Sequence, residues 1–324
     1  MAEWLVEDGI GESRAILVDE GEVLAARLDR PGTLSPGQVE DAILIARRAG
    51  SPRGTARFAS GEDALVDGLP ASAREGAPLR LIVTRAAMAE TGRYKRAQAR
   101  PTKRSPRAAP ALADVLRMEG HVVRGVRRFP DDPWPALIAE AQDGVIAFAG
   151  GSIVVTPTPA MTLIDVDGAL PPRALALAAV STIARTVTLF DLAGSIGIDF
   201  PSIEGKDDRR AVDEALAAAL AHWPHQRTAM NGFGLVQLVS RLERLSILQR
   251  VRCDPAGTAA RLLVRQAESI VEPGTLLLSA HPAVRAATRP EWLDQLARRT
   301  GRRLDWREDR TLALGAGFAQ AIAS

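Results

Sequence analysis

The sequence predicts an α/β chain of the α+β multidomain kind, and three observations carry that expectation. Short strands with glycine corners run from Val39 to Thr84, a strand–helix–strand unit runs from Met161 to Phe200, and the C-terminal stretch alternates strand and helix again. The chain has 324 residues, 46% of them hydrophobic, enough for a sizeable core divided over compact units.

Composition narrows the classes. The single cysteine, Cys253, permits no internal disulfide and no Cys-x-x-Cys metal knuckle. His222 and His225 form an H-x-x-H pair around Pro224 without a second ligand pair, so no zinc is expected. The start, MAEWLVEDGIGE, is acidic and lacks a secretory pattern, and no run approaches the ~18 to 20 apolar residues that cross a bilayer. A cytoplasmic protein without a membrane partner is the expectation. Net charge is +2 with a pI near 9.1, and the basicity is arginine's, because Lys95, Lys103 and Lys206 are the only lysines. High arginine and alanine content is also what a GC-rich genome produces.

In chain order, Trp4 to Leu28 reads as a β meander, with Arg14–Val18 and Glu22–Leu28 separated by the Asp19-Glu20-Gly21 turn. Val39–Arg47, Gly54–Ala59, Ala64–Leu69 and Leu79–Thr84 follow as short strands and suit a small barrel such as an OB-fold, which binds single-stranded nucleic acid. Next comes a basic run, GRYKRAQARPTKRSPR from Gly92, carrying Arg93, Lys95, Arg96, Arg100, Lys103, Arg104 and Arg107 and no acid. Such a run reads as a solvated linker or, beside a nucleic-acid barrel, as a phosphate contact. Ala109 to Gln142 is helical at both ends around a strand at Val122–Val126.

The centre of the chain is Gly150 to Phe200. Met161–Val166 and Ser195–Phe200 are apolar runs with Asp165 and Asp199 near their ends, and Arg173–Leu192 between them has helical spacing, with Pro171 and Pro172 before it and Gly194 after it. A crossover of this length makes the two strands parallel neighbours, which sets Asp165 beside Asp199 at the carboxyl edge where open sheets bind ligands. Two carboxylates there repel unless a cation or shared proton lies between them. Oxygen-only ligands suit magnesium, completed by water and substrate phosphate. Aspartates in such places also end strands and cap helices, and spacing alone does not separate the roles.

The wording of this stretch goes further. GGSIVVTPTPAMTLIDVDGA, the helix, DLAGSIGIDF and the later Phe233-Gly234-Leu235 resemble the catalytic region of the ribonuclease E/G family of endoribonucleases. The resemblance implies that Asp165 and Asp199 hold a catalytic Mg²⁺, with Mn²⁺ as a substitute. Asp167 stands where that family has an asparagine supporting the first aspartate. It implies an RNase H-like remnant at 1–34 and 108–148 and an inserted OB-fold RNA-binding domain at 35–100 with a basic linker to 107. A DNase I-like catalytic domain at 149–250 and a small C-terminal α/β unit at 251–324 complete the implied layout.

Phe58 matches a base-stacking phenylalanine and is equally an ordinary barrel-core residue. Lys95, Arg96, Arg100, Lys103 and Arg104 are the further candidate RNA contacts, and Gly68 stands where the family has a second aromatic. The family's 5′-monophosphate sensor motif is missing, and Cys253-Asp254-Pro255-Ala256 replaces its zinc knuckle, so no zinc-linked dimer is expected. The expected activity is Mg²⁺-dependent cleavage of single-stranded RNA, indifferent to the 5′ end and leaving 5′-phosphate and 3′-hydroxyl ends. An RNA-binding protein that has lost cleavage, or a nuclease acting on DNA, is the alternative. A helix is expected after Gly234, carried by Leu238, Leu242 and Leu245, with a strand before it at Gln226–Gly232. Lys206 to Leu220 forms another helix, with Asp207 and Asp208 at its N-terminal dipole.

Overall fold

Alternation of buried and exposed residues builds most of the strands, in the computed structural model as in the sequence pattern. The structure describes residues 2–30, 32, 34–90 and 93–323. Strands β1 (Glu3–Asp8), β2 (Ser13–Asp19) and β3 (Glu22–Asp29) form the expected meander. A five-stranded closed barrel follows from β4 (Val39–Arg47), β5 (Gly54–Arg57), β6 (Asp63–Val66), β7 (Pro78–Arg85) and, beyond a hairpin of β8 (Met88–Glu90) and β9 (Arg93–Lys95), β10 (Ala97–Pro101). Gly92, which opens the basic run, and the side chain of Arg93 lie outside the described residues. The barrel order is β10-β6-β5-β4-β7, closed by the β10–β7 pair, with β6 and β10 parallel.

Helix α1 (Leu112–Met118), strand β11 (Val123–Gly125) and helix α2 (Trp134–Asp143) return the chain to the first sheet, where β11 pairs parallel to β1. Then come β12 (Val145–Phe148), β13 (Gly151–Pro157), β14 (Thr162–Gly168), α3 (Pro172–Leu189), β15 (Ser195–Asp199), α4 (Lys206–Ala219), β16 (Gln226–Arg227) and β17 (Leu235–Val239). They make a six-stranded sheet of order β12-β13-β14-β15-β17-β16, in which β14 and β15 are the parallel pair. The last unit contains α5 (Ile247–Cys253), α6 (Pro255–Glu268), β18 (Thr275–Ala280), α7 (Pro282–Ala287), α8 (Pro290–Thr300), β19 (Leu304–Glu308), a 3₁₀ turn at Leu314–Ala316 and β20 (Phe318–Ile322). No helix among the described residues is long and apolar enough to cross a membrane.

One expectation fails. The segment after Gly234 is a strand, because Val236 and Leu238 enter the core while Leu235, Gln237 and Val239 face out, a period of two that overrides leucine's helical preference. Leu242 and Leu245 lie in the irregular link before α5, and the helix begins only at Ile247, where Ser246 and Gln249 form a capping box. The strand expected over Gln226–Gly232 shortens to Gln226–Arg227, and Asn231 to Gly234 makes a turn.

A continuous apolar core joins the first sheet to the six-stranded one. Leu5, Ile16, Ala26 and Leu28 share it with Trp134 and Ile138 of α2, Val180 and Ile183 of α3, and Ile153, Ile164, Ile196 and Ile198 of the second sheet. Helix α3 is therefore sandwiched between sheets, and the second sheet keeps its other face open. The barrel has its own core, built on Leu44, Ala56, Phe58, Leu69 and Leu81.

The C-terminal unit is fastened to the first sheet by buried charge. Arg14, fully buried, bonds Glu7 and Glu12. Arg265 of α6 grips Glu7 at 2.7 and 2.8 Å, and Arg30 holds Glu12 at 2.9 Å. Ile10, on the turn between β1 and β2, sits in the C-terminal core, and Gly11, at φ 76°, lies so close to the Trp292 ring that a Cβ would collide with it at 2.6 Å. Burial pushes the Glu12 carboxyl up, but Arg14, Arg30 and Arg261 pull it further down, so it ends below the ordinary glutamate range. A depressed carboxyl stabilises the fold above its unfolded-state pKa, and the contribution is lost as pH falls through the folded-state value. Glu12→Gln leaves Arg14 with Glu7 alone and takes from Arg30 its buried carboxylate, and is expected to cost about 3 kcal/mol at neutral pH. Chemical denaturation should show the gap between parent and variant narrowing in acid, and a gap that stays constant to about pH 2 contradicts this account.

Candidate active site

Strand β14 places its side chains alternately. Ile164 and Val166 go to the core, whereas Asp165 and Asp167 stand on the open face. Strand β15 repeats the pattern, with Ile196 and Ile198 inward and Asp199 outward. The register pairs Asp165 directly with Asp199, so two exposed carboxylates lie on one face of adjacent parallel strands about 4.8 Å apart. The crossover expectation holds for the strands, for their order and for this pairing.

The same row continues to Val154 on β13 and Leu235 on β17, which bracket the acids with aliphatic side chains. Toward the other end of the strands the next row is Leu163, Gly197 and Gln237, with Gln237 donating to the Ser195 hydroxyl at 3.2 Å. Helices α3 and α4 leave from the ends of β14 and β15, and Arg173 and Asp208 tie their first turns together at 2.9 Å. Lys206, at the start of α4, is exposed.

Neither Asp165 nor Asp199 has a hydrogen-bond or ion-pair partner among the described residues. Like charges set directly opposite in a sheet repel, and a cation bound between them would offset that repulsion. The donors are carboxylate oxygens only, with open space above them, and magnesium commonly takes one or two carboxylates and fills its shell with water and phosphate. The pair fits that ion. Among the described residues no group of three or more His, Cys, Asp or Glu side chains surrounds a metal position. Asp167 instead lies one row along, opposite Ser152, and its Oδ1 accepts the Gly168 amide at 2.9 Å.

The candidate RNA contacts fall into separate places. Phe58 is 3% exposed inside the barrel core, the structural one of its two readings. Arg100, Lys103 and Arg104 line one groove of about 560 Å³ with Gly68, Pro70, Ile82, Pro101 and Thr102, and none of the three has an ion-pair partner among the described residues. Lys95 ends the β9 hairpin strand, and Arg96 is exposed and lowers the pKa of nearby Asp63 less strongly than Arg57 does. Cys253 closes α5 in an exposed position, while Asp254 caps α6 by accepting the Gly257 amide at 2.9 Å. The surroundings of the acid pair, Val154, Leu235 and the Asn231 turn, were hidden in the sequence, although the two-residue period of 235–239 is a signal for them.

An α/β sheet edge with two facing carboxylates is an arrangement suited to a divalent cation and, through it, to phosphate. Residues 138–242 match the model of the Ribonuclease E/G family. It is 32% identical to Ribonuclease G of Escherichia coli strain K12 over 135 residues, covering 38% of this chain and 27% of that protein. Ribonuclease G of Shigella flexneri matches equally, and that of Salmonella typhimurium strain SL1344 is 31% identical over 135 residues. The matched stretch thus spans 27% of the length of these curated relatives.

Asp165→Asn removes one of the facing charges. In the absence of divalent cations the variant is expected to be more stable than the parent by about 0.5 kcal/mol, read by calorimetry as a rise of ~2 °C in the unfolding midpoint. Adding Mg²⁺ should raise the parent's midpoint and leave the variant's in place. A parent already the more stable of the two without cations contradicts an unneutralised pair.

Proposed function

We propose that this protein is a magnesium-dependent endoribonuclease that cleaves single-stranded RNA at the Asp165–Asp199 pair. The observation that carries the proposal is the register Asp165↔Asp199, which faces two exposed carboxylates inside the segment that matches the Ribonuclease E/G family. The family's architecture reads the first sheet as an RNase H-like remnant and the six-stranded sheet as a DNase I-like catalytic domain. The barrel's order, with its parallel β6–β10 pair, supports an OB-fold reading. RNA in the cytoplasm is the substrate, and the products carry 5′-phosphate and 3′-hydroxyl ends.

The division of labour follows from charge. Arg100, Lys103 and Arg104 attract the RNA backbone on the barrel without any cation. Asp165 and Asp199 repel phosphate on their own and hold the cation that reverses this. Magnesium bound there supplies charge neutralisation of the scissile phosphate and a water acidic enough to attack it. Val154 and Leu235 flank the pair with apolar surface, which limits competing solvent beside the acids. Asp167 adds negative charge one row along and strengthens cation capture at the edge.

Cleavage of a labelled A/U-rich RNA tests the reading. Cutting is expected with Mg²⁺ and absent without it, equal for 5′-monophosphate and 5′-hydroxyl substrates, and at least about a hundredfold slower in Asp199→Asn. Tight RNA binding with no cutting by the parent leaves a non-cleaving RNA-binding protein, and preferential cutting of single-stranded DNA overturns the substrate. Replacing Arg100, Lys103 and Arg104 together by alanine should weaken RNA binding and make the slope of log affinity against log salt about 2 units less steep, at ~0.7 per lost phosphate contact. An unchanged slope removes the groove from the RNA path.

A further inference from the structure

Seven phenylalanines occur in the sequence, and six are buried or partly buried. Phe233 is the exception, at 84% exposed. A lone exposed apolar residue is ordinary, but the place and the rigidity of this one are not. It occupies the tip of the turn that leads into β17, two residues before Leu235, the register partner of Asp199. Strand spacing therefore puts its Cα within about 10 Å of the Asp199 Cα, at the same end of the sheet as the acid pair.

The turn holds its shape without help from the ring. Asn231 Oδ1 accepts the amides of Phe233 at 2.9 Å and Leu235 at 3.1 Å, and the Asn231 carbonyl accepts the Gly234 amide at 3.2 Å. Gly234 adopts φ 90° with its α-carbon packed on the Phe200 carbonyl, where a Cβ would come within 2.2 Å. Upstream, Asp213 of α4 accepts the Met230 amide at 3.1 Å through both oxygens and pairs with Arg227 at 3.3 Å. A preorganised aromatic in solvent, next to a row where charge repels everything but a cation-bound phosphate, offers a flat surface and no charge. That is what a nucleobase stacks on.

We propose that Phe233 is a positioning residue that stacks on the base of a nucleotide adjacent to the phosphate held at Asp165 and Asp199. The proposal rests on the ribonuclease reading and adds to it a base contact on the catalytic sheet, separate from the phosphate contacts of the barrel. Stacking on any base is sequence-tolerant, so the contact sets register along the strand more than it selects a letter.

The test combines protein and substrate changes. Phe233→Ala and Phe233→Trp are compared with the parent on a short RNA and on copies with one abasic nucleotide at each position around the cleavage site. Phe233→Ala should raise KM about tenfold with kcat little changed, the mark of lost uniform binding, and Phe233→Trp should restore it. One abasic position should cost the parent about tenfold and cost Phe233→Ala nothing more. Because the ring is exposed, all three proteins should melt alike. Cleavage by the parent with equal KM in Phe233→Ala, or the same abasic penalties in both, overturns the stacking role and leaves the ribonuclease reading standing. A parent that neither binds nor cuts RNA overturns both.

Discussion

The candidate site depends on one pairing, the parallel alignment of β14 with β15. The α3 crossover makes the alignment possible, and the shared core fixes it, because a slip by one residue would turn Ile164 and Ile198 to solvent and the aspartates into the core. Hydrophobic packing on one face therefore specifies the electrostatics of the other. Two carboxylates are held opposite each other by strands that cannot separate without exposing the core, and a cation between them would relieve the resulting repulsion. The apolar face stabilises the fold, and the acidic face uses part of that stability.

The remainder of the chain supports this edge from a distance. Helix α3 lies between two sheets, so the first meander is part of the foundation of the six-stranded sheet. The C-terminal unit is attached to the same meander by Glu7, Glu12, Arg14, Arg30, Arg261 and Arg265, a buried ionic network in which Arg14 Nη2 still lacks a hydrogen-bond acceptor among the described residues and whose members would be costly to leave single. Asp191, where the chain leaves α3 at φ 52°, bonds Arg244 at 2.6 Å and Arg27 at 3.3 Å and so links the end of the crossover to the first sheet and to the segment before α5. The barrel keeps a separate core and offers a separate chemistry, a basic groove where the sheet edge is acidic.

Much of this was legible in the residues. The β-branched runs ending in Asp165 and Asp199, with a proline-led helix between them, contain the parallel pair, and glycine corners announce the barrel. The clustering of Arg100, Lys103 and Arg104 follows from their nearness in the chain. What the sequence withheld is tertiary. Phe58 looks like a stacking platform or a core residue until its burial is known. Leu238, Leu242 and Leu245 fit a helical stripe, yet the cross-strand demand of β15 takes 235–239 into the sheet and leaves the rest irregular. Phe233 sits in a motif, but its exposure and fixed turn come from Asn231, Gly234 and Asp213, residues with no individual signal.

The central claim is that Asp165 and Asp199 together hold a divalent cation. Methyl-labelled protein titrated with substoichiometric Mn²⁺ tests it most directly, because a paramagnetic ion broadens only signals near it. The account predicts selective broadening of the Val154 and Leu235 methyl signals, reversed by excess Mg²⁺ and absent in Asp199→Asn. Uniform broadening, or broadening centred elsewhere and indifferent to that substitution, would contradict it.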